Sequence, residues 1–457
     1  MTAFWPGSAQ LVAWEGLDQR AVAGWKQYAA TGASEADGAA FVERLHRPGW
    51  VHTYPPQILT GEAVTAVETT GLRLAELITG FPERAFGGDR TAWLEYLRLP
   101  STDAELIAEA LDHPHLAKVA TAFMRPDLVV TENGLKLVEL NVAVSLGGLS
   151  TCAPYTAAAA DSGFARHLAA QGLRLHGTDT SRIWLEVFGS LLRGTGEGPL
   201  HVFEAAADPA DALGGRRFFA DMIRSAGYRI SSGLIHDLEL SDEGVAFGGE
   251  RVHAIFTGYT WDETRRFVPP ALTRRLMELD AAGKVDFIGS PAAALYDNKA
   301  NLALLFDPRF TALLTPEERE LVRKHVPETR VLDATTLDWA LAARPLLVCK
   351  PTAAYGGKDI AFGLVHSDAA WETELRRRLA RPGEVHVLQR REAPARLTLP
   401  GTATAERELV LAPLLFGGRP AGIFVRHAPP RPDSAINASG GAEAAGALTL
   451  RRITPLG

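Results

Sequence analysis

The chain has 457 residues, of which 46% are hydrophobic and 22% charged, the profile of an ordinary globular protein with two or three domains and a large core. A net charge of −7 spread along the length gives no electrostatic reason to expect nucleic acid or an anionic membrane as partner. Its two cysteines, Cys152 and Cys349, lie far apart and form no Cys-x-x-Cys, so neither a disulfide framework nor a zinc site is expected.

The opening residues MTAFWPGSAQ lack the basic and apolar segments of a secretory signal, and no apolar run is long enough to span a bilayer; the expected location is cytoplasmic. Residues 1–120 read mostly as helices, among them 62–79 and 103–110, and Asp112 is placed to cap a helix carrying HLAKVATAFM before Pro126. The HPH of 113–115 reads as a helix start rather than a metal site. Residues 127–141 read as a β-hairpin turning at Asn133-Gly134. Helices are expected at about 155–172 and 181–192, with GTGEG (194–198) as a linker, since no helix follows it. A β-α-β unit over 201–207, 216–227 and 228–234 predicts an open α/β layer, followed by a hairpin-like stretch around Gly248-Gly249. The last third alternates again. It holds a strand at 284–291, an amphipathic helix at 293–306, paired strands at 346–350 and 360–365, and a helix at 367–383 capped by Ser367, with Trp371, Leu375 and Leu379 on one face. Strands at 385–391, 408–416 and 422–428 complete it.

Several short stretches carry chemistry. In KLVELNVAVSLGGL (136–149), Glu139 and Asn141 point to the same side of a strand, and the hairpin sets Asp127 opposite Glu139. Opposed carboxylates repel unless something positive lies between them. An Asp, a Glu and an Asn carbonyl are hard donors suited to Mg²⁺ held with phosphate, and Arg125 lies on the same face. An ordinary solvated sheet face would carry the same residues. In VCKPTAAYGGKDIAFG (348–363), Lys350 ends a buried strand, where it calls for an anion, and Gly356-Gly357 let backbone amides approach phosphate. Lys299 in YDNKANLALL fits either a phosphate contact or a solvent-facing lysine. VHVLQRREAP (385–394) ends a strand in polar residues that could face a purine edge, and FVRHAPPRPDSAINASGGAEAAG (424–446) sets Arg426 before a small-residue loop.

Taken in order, these motifs resemble a circularly permuted ATP-grasp ligase, nearest to eukaryotic-type glutathione synthetase and glutathionylspermidine synthetase, in patches over residues 120–450. The resemblance implies an α/β (α+β) fold of ATP-grasp type in three parts. Residues 1–195 would be a helical region with the metal-binding hairpin, 196–292 an inserted α/β substrate domain, and 293–457 the nucleotide-binding part, with a lid at about 350–392. It implies Asp127, Glu139 and Asn141 as Mg²⁺ ligands, and Lys299, Lys350, Gly356, Gly357, Gln389 and Arg390 as the ATP site. Arg125 and Arg426 would be the catalytic arginines, Ser145, Gly258 and Tyr259 substrate contacts, and 437–446 a loop closing over the site. Three departures fall on metal and substrate: Ala354 where a Glu is expected, Phe256 where an Arg is expected, and a segment one residue short after Asn141.

The activity implied is ATP-dependent joining of a small-molecule carboxylate to an amine in an amide (peptide-type) bond through an acyl phosphate, with amino acids, small peptides or amines in a specialised biosynthetic pathway as the expected substrates and ATP and Mg²⁺ as cofactors. A small-molecule kinase and a non-catalytic nucleotide-binding protein are the alternatives. A second copy of the chain is an open option as partner; nucleic acid and membrane are not expected.

Overall fold

The computed structural model describes residues 15–45, 50–194, 199–210, 217–401 and 406–453. The opening MTAFWPGSAQ and most of GTGEG lie outside the described residues. Helices and several sheets make a mixed α/β architecture, and no described helix is long and apolar enough to cross a membrane.

The largest sheet runs in the order Val51–His52, Glu443–Gly446, Arg419–Ala428, Glu406–Phe416, Phe123–Thr131, Gly134–Val142, with Leu397–Thr398 also paired to Glu406–Phe416. Side chains alternate across it. Leu128, Val130, Leu411 and Val425 point to one face and pack on Leu74, Ile78 and Phe81 of the long helix Gly61–Ala85. That helix outruns the expected 62–79 and starts on Thr60, whose hydroxyl accepts the Ala63 N–H at 3.1 Å. Gly71 lets it lie close to the sheet. A Cβ there would stand 2.4 Å from Cγ of Pro413 and 3.1 Å from Cγ of Pro126. Gly71→Ala is therefore expected to cost about 1–3 kcal/mol through overpacking, read as a lowered urea midpoint with an unchanged m-value.

On the other face, Phe123, Leu414, Phe416 and Phe424 are covered by Trp184, Phe188 and Leu149 from helices Thr180–Leu191 and Leu149–Ala160. Further along the same strands, that face turns polar at Arg125, Asp127, Glu408 and Arg426, all buried. The site begins where the helical cover ends.

A parallel sheet, Asp286–Ile288, Ala254–Thr257, His201–Ala206, Arg229–Leu234, includes the parallel strand pair expected from the β-α-β unit over 201–234. The Gly248-Gly249 hairpin also forms, between Val245–Phe247 and Glu250–Val252. Phe256 packs against Trp184, Phe188 and Phe219 in the core, a setting closed to an arginine. A four-stranded antiparallel sheet, Thr329–Val331, His386–Arg390, Leu347–Pro351, Ala361–Phe362, carries a small core of its own with Trp371 and Leu375 of helix Asp368–Leu379. Leu379, at the end of that helix, is 39% exposed and does not join the apolar face.

Four expectations are corrected. Asp112 ends helix Ser101–Asp112 and pairs with Arg90 instead of capping; the next helix, Pro114–Ala120, starts on His113 without a side-chain cap. Strand Phe123–Thr131 begins early and takes in Pro126, which lacks an N–H; its ladder to Glu406–Phe416 breaks at the same level, between the pairs Leu128–Leu411 and Met124–Leu415. The 293–306 helix is two short helices, Ala293–Asp297 and Ala300–Leu304, because Asn298 is extended and its Oδ1 accepts the Ala300 N–H at 2.9 Å. GAEAAG is largely a strand, Glu443–Gly446, buried between Val51–His52 and Arg419–Ala428. Its small residues make room for helix Leu149–Ala160: a Cβ on Gly446 would lie 3.1 Å from Cα of Cys152. The segment facing the site is instead 431–437.

Candidate active site

Between the polar face of the large sheet and the four-stranded sheet lies a cavity of about 160 Å³. The hairpin that floors it turns through two residues, Glu132 and Asn133, with Thr131 paired to Gly134. An extra residue, Val138, bulges from the second strand and restores the pairing of Asp127 with Glu139 and of Arg125 with Asn141. The bulge also presents the Val138 carbonyl to Lys350 Nζ, 3.3 Å away.

The opposed carboxylates do have positive charge between them. Asp127 Oδ1 meets Arg125 Nε at 3.0 Å, and its Oδ2 meets Arg426 Nη2 at 2.7 Å. Burial would raise the Asp127 carboxyl, but the two guanidiniums outweigh it and hold the group at about 2. Both guanidiniums lie over the Phe424 ring, at 5.8 and 5.2 Å from its centre, which fixes them at the apolar border. Arg125 is anchored further through Nη1 to the Gly147 carbonyl at 2.6 Å. Glu139 meets Lys299 Nζ at 3.3 Å, and the Asn141 amide donates to the Arg125 carbonyl at 3.1 Å, which leaves its Oδ1 toward the cavity.

Lys350 stands differently. Its Nζ donates to Gln389 Oε1 at 2.8 Å and to the Val138 carbonyl, both neutral. Burial lowers its amine to about 8, partly opposed by Glu139. Gln389 is held in turn by Thr329 Oγ1 at 3.1 Å, so its side chain positions Lys350. Arg426 Nε is buried without a hydrogen-bond partner. Arg125, Arg426, Lys299 and Lys350 thus face the carboxylates of Asp127 and Glu139, a surplus of positive charge shaped for an anion.

Gly356 and Gly357 take φ of +72° and +70°, and a Cβ on Gly357 would stand 3.2 Å from Cβ of Ala435. Glycine thus lets this loop lie against segment 434–437 at the cavity mouth.

The cavity lining brings together Arg125, Asp127, Glu139, Asn141, Lys350, Gly356, Gly357, Gln389, Arg390 and Arg426. Arg390 is the outlier of these: its side chain points to the surface and pairs with Glu328 at 3.1 Å. Lys299 stands in the wall, buried, with Nζ also on the Ala354 carbonyl at 2.8 Å. Ser145, Gly258 and Tyr259 do not line the cavity. They form a separate group at the end of strand Ala254–Thr257, where Ser145 Oγ donates to the Tyr259 carbonyl at 3.1 Å.

Two acids went unnoticed in the sequence. Glu408 lines the cavity, and burial raises it to about 7 against the pull of Arg391 and Arg396. Its position two residues before Val410, on the face opposite Leu409 and Leu411, was the available signal. Asp297 accepts the Val142 N–H at 2.9 Å and the Tyr355 hydroxyl, and burial raises it to about 6. Nothing in YDNKA distinguishes it before the helix is known to break.

No protein-family profile matches the chain, and no curated protein matches it by sequence. Solved structures with some likeness include a protein provisionally named gamma-glutamylcysteine synthetase from Methylobacillus flagellatus KT. It shows 12% identity over 78% of this chain and 87% of that one, with a TM-score of 0.44. A second is D-cycloserine synthetase, with 16% identity over 54% of this chain and 74% of that one and a TM-score of 0.33. At these scores neither similarity decides the fold or the chemistry.

Proposed function

We propose that the chain is an ATP-dependent carboxylate–amine ligase of circularly permuted ATP-grasp type, with 196–292 as the inserted substrate domain and about 350–392 as the lid. The observation that carries this reading is the surplus of buried positive charge, beside hard oxygen donors, between two sheets and under a glycine loop. The order of sequence motifs supports it independently.

The residues fit a Mg²⁺–triphosphate group. Glu139 and Asn141 bring hard oxygen donors to the cavity lining, where Glu139 meets Lys299 through Oε2 and Asn141 uses its Nδ2, not its Oδ1, on the Arg125 carbonyl. Both Asp127 oxygens are engaged by guanidiniums, so direct ligation by Asp127 requires Arg426 to give up its contact when phosphate arrives. Bound Mg²⁺ supplies charge neutralisation across the phosphate oxygens. Lys350 and Lys299 hold the phosphates, and the Gly356-Gly357 backbone covers them. Arg125 and Arg426 orient the substrate carboxylate, whose oxygen attacks the γ-phosphorus as the bond to ADP breaks. The amine then attacks the acyl carbon, phosphate leaves, and the amine gives up its proton. The chain's contribution is positioning and electrostatic stabilisation.

Phosphate release is expected to require a carboxylate and an amine together, and hydroxylamine is expected to trap a hydroxamate. ATP turnover that yields a stable phosphorylated product and no hydroxamate would instead mark a kinase. Nucleotide affinity should also depend on pH. Lys350 is charged below about 8 and neutral above it, so triphosphate binding should weaken from pH 7 to pH 9. Proton uptake on binding near pH 8, measured by calorimetry in buffers of different ionisation enthalpy, checks the sign.

A further inference from the structure

Two clusters of one histidine and two carboxylates gather within 4.8 Å among the described residues. In the first, His115 has both ring nitrogens engaged, on Asp280 at 2.7 Å and on the Leu191 carbonyl at 2.8 Å, and Arg193 pairs with both Asp280 and Asp286. That set is complete without a guest. The second, Asp359, Glu384 and His386, is not. His386 is 2% exposed, and its Nε2 has no hydrogen-bond partner, standing 3.9 Å from Glu384 Oε2.

Local structure builds this group. Helix Asp368–Leu379 ends, Gly383 at φ +73° turns the chain, and strand His386–Arg390 begins. Glu384 and His386, two residues apart where the chain extends into the strand, share a side. The register sets His386 opposite Pro351, and Asp359 follows Gly356-Gly357 by two residues. Asp359 and Glu384 also line a second cavity, of about 440 Å³, through which an ion can approach. Lys299 stands between this cavity and the first: its Nζ meets Glu139 in the lining of one and the carbonyl of Ala354 in the lining of the other.

A cation already sits between the two acids. Arg381 Nη1 bridges them, 2.8 Å from Asp359 Oδ2 and 2.9 Å from Glu384 Oε2. Arg378 holds the other Asp359 oxygen at 3.0 Å and is buried, whereas Arg381 is 30% exposed and can swing into solvent. The Glu384 side chain is half exposed, so its carboxylate can turn to admit an ion to Nε2 and return as a ligand. Bonds of about 2.0–2.1 Å around tetrahedral Zn²⁺ put ligand atoms about 3.4 Å apart, so the pair now at 3.9 Å closes by a small side-chain adjustment. An imidazole with two carboxylates suits a borderline ion of this kind, whereas Mg²⁺ takes oxygen ligands.

We propose that His386 Nε2, Glu384 and Asp359 bind a divalent transition ion of the Zn²⁺ class, which takes the place of Arg381 and ties the end of the glycine loop to the strand carrying Gln389. The site is independent of the ligase reading.

Calorimetry with Zn²⁺ and visible absorption with Co²⁺ test this on the untagged full chain, after chelator treatment and with Mg²⁺ in excess to fill oxygen-only sites. A Zn²⁺ ion is expected to bind, and Co²⁺ should show the bands of a low-coordinate site with nitrogen ligation, lost when Zn²⁺ displaces it. Glu384→Gln should weaken Zn²⁺ about tenfold or more, and His386→Gln should remove the Co²⁺ bands. Arg381→Gln takes away the competing cation and should tighten Zn²⁺ about tenfold. Zn²⁺ binding no tighter than about 100 µM overturns the proposal, as does affinity within about twofold of wild type in Glu384→Gln. Weaker binding in Arg381→Gln also overturns it, since the ion then does not replace the guanidinium. If His386→Gln does not fold, the opposite shifts expected of the two more exposed positions, Glu384 and Arg381, still decide the matter.

Discussion

Asp127→Asn is expected to lower stability by about 3–5 kcal/mol and to abolish ligation, because it leaves two buried guanidiniums around a neutral amide. Asp127 is 2% exposed and Arg426 4%, so water cannot replace the lost charge. The carboxyl is held at about 2, below its ordinary value, so its stabilising contribution is complete above about 4 and is lost as pH falls toward 2. Urea denaturation at pH 7 gives the size of the effect. Adding Arg426→Met to the variant should recover part of the loss, since one uncompensated charge is then gone. A loss below about 1 kcal/mol would mean that the arginines find other partners or that the site is wetter than described.

Lys350→Met is expected to do the reverse, trading activity against stability. If the amine neutralises phosphate in the transition state, its removal should cost on the order of 10²–10³ in turnover. At pH 7 the same change should stabilise the free protein by about 1–3 kcal/mol, because a buried ammonium held by neutral oxygens is replaced by an apolar chain of similar shape. The sign follows from the depressed amine: the cost is fully present below about 8 and disappears as pH rises toward the ordinary lysine value. The stability gap between variant and wild type should therefore close in alkaline solution. Turnover within about tenfold of wild type would remove Lys350 from the phosphate site.

Much of the site was legible in the residues because strand periodicity is local. Once 123–142 is a hairpin, Arg125, Asp127, Glu139 and Asn141 must share a face. The expected Asp127–Glu139 pairing holds, though by a different route: the turn is one residue tighter and the Val138 bulge compensates. Lys350 at a buried strand end and the left-handed glycines after it were readable for the same reason. What surrounds them was not. That GAEAAG is a strand depends on a helix whose Cys152 lies 294 positions before Gly446, which needs the small side chains.

Residue types and their alternation were enough to place a hard-donor, cationic face on one hairpin and a lysine and glycine loop on another. Only the tertiary structure decided that two arginines, not one, hold Asp127, that Lys299 is buried in a wall between two cavities, and that Ser145 and Tyr259 lie apart from the first of them. Faces are set by the two-residue repeat within a strand, whereas partners are set by which distant strands and loops pack together, and that information is not carried by any one segment.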